Sequence, residues 1–300
     1  LPYFFIRNGI DIFHSPTFHL PLFTPKVKKV VTIHDLILFK FPQTYPQSFV
    51  TYGRAMIRMA IKTAHAIIVP SESTKNDIIN IFRINEDRIY VVTSGVKKEF
   101  RPVDNMDYLM NIKSKYNLPD DFILFVSTIE PRKNLESLVH AYLELKSMGI
   151  KYKLIVCGGK GWMKEYERIN GIIRELGLVE DILFTGYVSD KDMAGIYNLA
   201  ALFVYPSLYE GFGFPPLEAM ACGCPIIASN ASSIPEVVGD VAVLVEPLDI
   251  TGLANAIYKV LTDNTLKSNM REKGLKRAGH FSWEKTAIET LKVYKKIIRS

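Results

Sequence analysis

Two glutamates eight residues apart, Glu210 and Glu218, bracket a loop that carries Gly211 and Gly213 and then passes into a helix through Pro215 and Pro216. A first helical turn tolerates proline because amide groups there have no intrahelical partner, and glycine lets a backbone approach a ligand closely. A helix N-terminus with its positive dipole end facing such a loop is a site for phosphate. Glu218 stands among Pro216, Leu217, Ala219, Met220 and Ala221, so as a buried anion it needs hydroxyl or N–H partners to offset its desolvation. The hydroxyls of a ribose or another sugar would supply them. Either glutamate taken alone reads as a solvated carboxylate; the pair around the loop is what suggests a site.

Two further groups fit the same chemistry. Arg132 and Lys133 stand immediately before a helix, where cations oppose the dipole unless an anion lies between them. His34, beside Asp35, closes an apolar run, which sets it at a strand end, where an imidazole can orient a hydroxyl or handle a proton near neutral pH. Singly, an Arg-Lys pair in a loop is a solvated pair and a lone histidine is structural.

The stretch E-G-F-G-F-P-P-L-E from Glu210, followed by A-M-A-C-G-C-P, resembles the two-glutamate signature of the retaining glycosyltransferases of family 4, and E-P-R-K-N from Glu130 resembles a second motif of that family. The resemblance extends over nearly the whole chain and implies the GT-B fold: α/β, with two Rossmann-like doubly wound domains facing a cleft. It also implies a donor, a nucleotide diphosphate sugar, held by Arg132 and Lys133 at the diphosphate, by Glu218 at the ribose, by Glu210 at the sugar, and by the Gly211, Phe212, Gly213 and Phe214 loop. His34, Glu210, Arg132 and Lys133 become the expected catalytic residues. The likeness is nearest to bacterial mannosyltransferases of cell-surface polysaccharides, which favours GDP-mannose over UDP-sugars as donor and a glycan or lipid-linked hydroxyl as acceptor. The alternatives are a non-catalytic module that binds a nucleotide sugar, and a nucleotide-sugar epimerase.

Apolar runs and amphipathic stretches alternate along the chain, which implies parallel sheets with ligands beyond the carboxyl ends of the strands. Four runs, Ile10 to His14, Lys29 to His34, Ala66 to Pro70 and Ile89 to Thr93, predict a first sheet. Six more predict a second: Phe122 to Ser127, Tyr152 to Cys157, Ile182 to Thr185, Leu202 to Tyr205, Pro225 to Ser229 and Val241 to Val245. Helical spacing puts Phe49, Tyr52, Met56, Met59, Ala60 and Thr63 on one face, and Ile288, Leu291, Tyr294 and Ile298 on another. The pattern weakens from Phe100 to Asn111, which is read as a linker. The expected domains are 1–103 on the acceptor side, 104–280 binding the nucleotide sugar, and a helix at 281–300 crossing back to the first domain. Family relatives carry further βα units ahead of Ile10, so the first domain is expected to be incomplete.

Some motifs lead elsewhere. Cys157-Gly158-Gly159-Lys160-Gly161 lacks P-loop spacing and reads as a tight turn. Asp190-Lys191-Asp192 could hold a metal, but Ser189 makes it the opening of a capped helix, and no metal or other cofactor is expected. Ser233 and Glu236 also have capping-box spacing. With 37 basic and 31 acidic residues the chain carries a net charge of +6, an excess suited to an anionic ligand or an anionic membrane surface, and no nucleic-acid motif accompanies it. Lys292, Lys295, Lys296 and Arg299 are read as solvated, with contact to anionic lipid as the alternative. The three cysteines have no ligand spacing and read as buried thiols of a reducing compartment. No run reaches the roughly 18 to 20 apolar residues that span a bilayer, so a cytoplasmic protein, peripheral at most to the membrane, is expected.

Overall fold

The computed structural model describes residues 2–21 and 27–299. The chain divides into two compact units: Leu1–Gly95, Glu210–Phe212 and Phe281–Ser300 form the first, and Val96–Tyr209 with Gly213–His280 the second.

The first unit runs α1 (Pro2–Arg7), β1 (Ile12–Ser15), β2 (Lys28–Thr32), α2 (Ile37–Lys40), α3 (Gln47–Thr63), β3 (Ala66–Val69), α4 (Glu72–Phe82) and β4 (Ile89–Val91), and adds the C-terminal helix Trp283–Arg299. Its strands lie parallel in the order β1-β2-β3-β4. The Ala-Ile-Ile-Val of β3 is buried throughout, as a strand covered on both faces must be. Ser71 caps α4 by accepting the Thr74 amide.

Both helical faces expected in this unit are rotated from the prediction. In α3 the buried stripe is Val50, Gly53, Ile57, Ala60 and Ile61, while Phe49 and Tyr52 are exposed. The helix turns Gly53 against Leu38, where a Cβ would come within 2.3 Å of the leucine Cδ1. In the C-terminal helix Val293 and Ile297 pack on Val30, Ala66, Ile68 and Val92, and Ile288, Leu291 and Ile298 face outward. That helix carries two apolar stripes, and periodicity alone does not say which is covered. Of its cations, Lys292 pairs with Glu289 and Lys296 lies over the Tyr90 ring.

Two neutral histidines tie this unit together. His14 Nδ1 lies 2.5 Å from the Tyr294 hydroxyl and Nε2 2.8 Å from Thr32 Oγ1, and His65 Nδ1 accepts the Lys29 amide at 3.0 Å. Burial lowers the pKa of both, helped by His34 at His14 and by Lys28, Lys29 and Arg88 at His65. A histidine whose folded pKa is depressed binds its proton more readily in the unfolded chain, so stability is full above the ordinary histidine value and is lost as pH falls through it. The first unit is therefore expected to lose stability as pH falls below the ordinary histidine value, more through the better-buried His14 than through His65, whose share solvent screens. Denaturant titrations at pH 7.5, 6.5 and 5.5 check this: His65→Asn should flatten the slope, and an unchanged slope contradicts the assignment.

The second unit runs α5 (Met106–Lys115), β5 (Phe122–Val126), α6 (Leu135–Ser147), β6 (Lys153–Cys157), α7 (Met163–Glu175), β7 (Ile182–Gly186), α8 (Asp190–Leu199), β8 (Leu202–Tyr205), α9 (Phe214–Ala221), β9 (Ile226–Ser229), α10 (Ile234–Val238), β10 (Val243–Val245), α11 (Ile250–Thr262) and α12 (Asn264–Ala278). The stretch read as a linker thus holds the start of α5, capped by Asn105. All six strands are parallel in the order β10-β9-β8-β5-β6-β7. In α6 the face of Leu135, Leu138, Val139 and Tyr142 is buried, and in α8 that of Met193, Ile196 and Tyr197; Leu138, Val139, Leu154, Val204, Ile257 and Val260 lie in one core. Each such side chain contributes about 1.5–3 kcal/mol by leaving water.

Candidate functional site

The chain of the second unit winds outward from β5 through β6 to β7, then returns to place β8 on the other side of β5. At such a reversal the loops after the two central strands part, and ligands bind in the crevice outside their carboxyl ends. Those loops are Ser127 to Asn134 and Pro206 to Gly213, and they carry most of the predicted residues.

Asn134 knits the loops together. It sits in the left-handed region at φ 58°, and its Nδ2 donates to the carbonyls of Pro206 at 3.0 Å and Pro247 at 2.5 Å while Oδ1 accepts from Ser137. Arg132, 8% exposed, donates from one terminal nitrogen to the Tyr209 carbonyl at 2.6 Å and from the other to Glu130 at 3.2 Å. Its backbone carbonyl accepts from Leu208 N. The guanidinium therefore braces the loop after β8 and supplies positive potential from beneath it. Lys133 is half-buried; its ammonium donates to the Tyr205 hydroxyl at 2.9 Å and lies 5.4 Å from that ring's centroid.

Gly213 caps α9 at φ 112°, a conformation that side chains disfavour. Pro215 and Pro216 follow Phe214 in the first turn. They have no N–H, so the turn presents fewer donors than the sequence suggests: the amides of Gly213 and Phe214 remain, with the helix dipole behind them. Phe214 is exposed.

One turn further on, Glu218 accepts a hydrogen bond from the Tyr197 hydroxyl at 3.3 Å. Burial raises its pKa to about 7; the Tyr197 bond and Lys97 pull it down, and Asp190 pushes it up. Tyr197 itself is fully buried against Phe203, whose ring stacks on Tyr205. An aromatic row thus lies under the crevice, from Lys133 at one end to Glu218 at the other.

The other predicted residues lie in the first unit. His34 follows β2, is exposed, and shares Nε2 with the Pro16 carbonyl at 2.9 Å. A carbonyl only accepts, so Nε2 carries the proton and Nδ1 is the nitrogen left for chemistry. Asp35 accepts the Ile37 amide at 2.9 Å and so opens α2. Beside His34 lies a pocket of about 230 Å³ walled by Phe18, Tyr45 and Phe49 with Thr17 and Asp35. Glu210 is half-buried, Phe212 packs edge-on to Phe281, and Gly211 rests on the His34 backbone.

The remaining motifs are structural. Gly158, at φ 140°, lies where a Cβ would reach within 2.0 Å of the Ser127 carbonyl, which makes the glycine run a tight turn. Ser189 accepts the Asp192 amide; Asp190 pairs with Lys97, and Asp192 with Lys115 and Tyr116. Ser233 stands at the start of α10 without a side-chain cap bond, contrary to its capping-box spacing, because its backbone is already helical there. All three cysteines are buried free thiols, with burial pushing Cys157 and Cys222 up to about 12. Among the described residues no helix is long and apolar enough to cross a membrane.

Two sheets of parallel strands, each dressed with helices and the second reversing at β5 and β8, make up the GT-B fold of glycosyltransferases. The chain belongs to the family described as glycosyl transferases group 1, whose model matches residues 110–277, and residues 1–100 match the model of glycosyltransferase family 4. It is 34% identical over 287 residues to the O-antigen chain mannosyltransferase B of Escherichia coli, covering 95% of this chain and 74% of that protein. It is also 34% identical over 291 residues to the serotype-specific mannosyltransferase WbdA of Escherichia coli, of which it spans 36%. Among solved structures, a sucrose-phosphate synthase from Thermosynechococcus elongatus superposes with a TM-score of 0.81 at 25% identity, over 99% of this chain and 76% of that one.

Proposed function

We propose that this glycosyltransferase moves a hexose, mannose from GDP-mannose in the first instance, to a hydroxyl of a glycan or lipid-linked acceptor with retention of anomeric configuration. The observation that carries the reading is the convergence of Arg132, Lys133, Gly213 and Glu218 on the crevice at the β5/β8 reversal. The choice of mannose is supported by the names of the relatives at 34% identity.

In this reading the diphosphate lies over the start of α9, and the charge that develops on it as the glycosidic bond breaks meets fixed positive potential. Lys133 is the cation that reaches the leaving group, and Arg132 holds the loop and adds its field. Glu218, ionised, accepts the ribose hydroxyls. Glu210 accepts hydroxyls of the sugar, and His34 orients sugar and acceptor through Nδ1. The acceptor hydroxyl attacks from the face that the diphosphate leaves, giving its proton to the departing phosphate oxygen.

Incubating the 300-residue chain with GDP-mannose and an oligomannoside, and reading the new anomeric signal by proton NMR, tests this. An α-linked product formed from the α-linked donor supports it. An inverted product, or a glycosyl adduct on the protein by mass spectrometry, contradicts the same-face step, and transfer from UDP-glucose instead contradicts the donor.

A further inference from the structure

Glu210 is carried by a three-residue tip, Glu210–Phe212, that belongs to the first unit although its neighbours in sequence belong to the second. The tip is held by its backbone. The Gly211 carbonyl accepts from the Ser71 hydroxyl at 2.7 Å and from the Thr74 hydroxyl at 3.1 Å. Both donors are 1% exposed, and Ser71 Oγ in turn accepts the Thr74 amide at 3.1 Å. On the other side Gly211 lies flush on His34, with a Cβ position only 2.0 Å from the His34 carbonyl oxygen.

A carbonyl with two lone pairs, gripped by two hydroxyls that water hardly reaches, has its direction fixed as well as its position. Gly211 is next to Glu210, so the grip also fixes where the Glu210 carboxylate can swing. We infer that Ser71 and Thr74 are positioning residues for Glu210, setting through the Gly211 carbonyl the place where the transferred sugar is held. This rests on the reading of Glu210 as the sugar-binding carboxylate. Neither hydroxyl touches substrate in this account. Ser71 does double duty, since it also caps α4.

The cap separates a structural role from a positioning one. Thr74→Val removes one donor at nearly constant shape and leaves the cap, whereas Ser71→Asp keeps a capping oxygen but has no proton to donate. The experiment is calorimetric titration of the 300-residue chain with GDP and with GDP-mannose, alongside thermal melts, for the parent, Thr74→Val, Thr74→Ser, Ser71→Asp and Glu210→Gln. The expected result is that Thr74→Val and Ser71→Asp both bind GDP within twofold of the parent, that Thr74→Val loses about fivefold in affinity for GDP-mannose, the worth of one hydrogen bond, and that Ser71→Asp, which sets a buried carboxylate against the Gly211 carbonyl, loses more. Thr74→Ser should restore the affinity that Thr74→Val loses.

GDP and GDP-mannose affinities that fall together, in step with the melting temperature, would make the hydroxyls structural and overturn the inference. So would GDP-mannose affinity unchanged in Thr74→Val and Ser71→Asp but reduced in Glu210→Gln. A parent that binds GDP-mannose no better than GDP, or a Glu210→Gln variant with full sugar affinity, removes the role of Glu210 and the inference with it.

Discussion

Replacing Glu218 with alanine is expected to weaken nucleotide binding roughly a hundredfold or more, because two hydrogen bonds from ribose hydroxyls to a charged acceptor are lost at about 1.5–3 kcal/mol each. Fold and melting behaviour should survive, since the variant relieves a buried carboxyl held near neutrality at about 7. That value also predicts a pH dependence. The folded chain keeps the Glu218 proton more tightly than the unfolded one, so this group's share of stability is present at low pH and is lost as pH rises from the ordinary carboxylate range through about 7. Ligand binding has the opposite sign. A ribose that donates to the carboxylate favours the anion, so affinity should rise as pH passes through 7 and level off above 8. Glu218→Gln should flatten that curve and leave weak binding. Titrations at pH 6, 7 and 8 decide it: a pH-independent affinity in the parent means that the carboxylate does not meet the ligand.

The second large effect is expected at Gly211. An added Cβ would stand 2.0 Å from the His34 carbonyl oxygen and 2.8 Å from the Asp35 Cβ. Both neighbours are held: the His34 ring by Pro16, the Asp35 carboxylate by the Ile37 amide. With backbone on one side and the Ser71 and Thr74 hydroxyls on the other, the tip has no direction in which to yield cheaply. Gly211→Ala should therefore displace the tip, at about 1–3 kcal/mol of overpacking, and carry Glu210 out of place. Misplacing a group by about 1 Å can cost a hundredfold in rate. Transfer is thus expected to fall at least a hundredfold, while GDP binding by the crevice of the second unit changes little. Full transfer in the variant would show that the tip is free to move.

Strands such as β3, β5 and β8 were legible because each is a short apolar run ended by polar residues, the pattern of a sheet covered on both faces; β2, Lys-Lys-Val-Val-Thr, keeps only its middle apolar. The passage from loop to helix was legible where glycine and proline meet, as at Gly213-Phe214-Pro215-Pro216, which opens α9. Arg132 was a candidate from its motif, but its sequence position says nothing of the Tyr209 carbonyl and the Glu130 carboxylate that it braces.

Helical faces were harder. Both Phe49-Tyr52 and Val50-Gly53 satisfy helical spacing, and the choice between them is made by Leu38 packing on Gly53, a contact between separate helices. The C-terminal helix has the same ambiguity, with Ile288 and Leu291 on one stripe and Val293 and Ile297 on the other. Tyr197, Tyr205 and Asn134 were not among the site candidates, for a different reason. Tyr197 lies on the buried face of α8 and Tyr205 ends the buried strand β8, so core packing already explains both, and their hydroxyls matter only because Glu218 and Lys133 reach them. The grip of Ser71 and Thr74 on Gly211 spans 140 and 137 residues of sequence, beyond any local pattern.

The central claim is that the crevice at the β5/β8 reversal holds a nucleotide diphosphate sugar. Its most direct test is calorimetric titration of the 300-residue chain with GDP, UDP and ADP in EDTA, repeated with Glu218→Ala. Saturable binding of one nucleotide at one site, GDP in the first instance, abolished in the variant, is the predicted result. Binding that persists undiminished in Glu218→Ala, or no binding of any of the three, would contradict it.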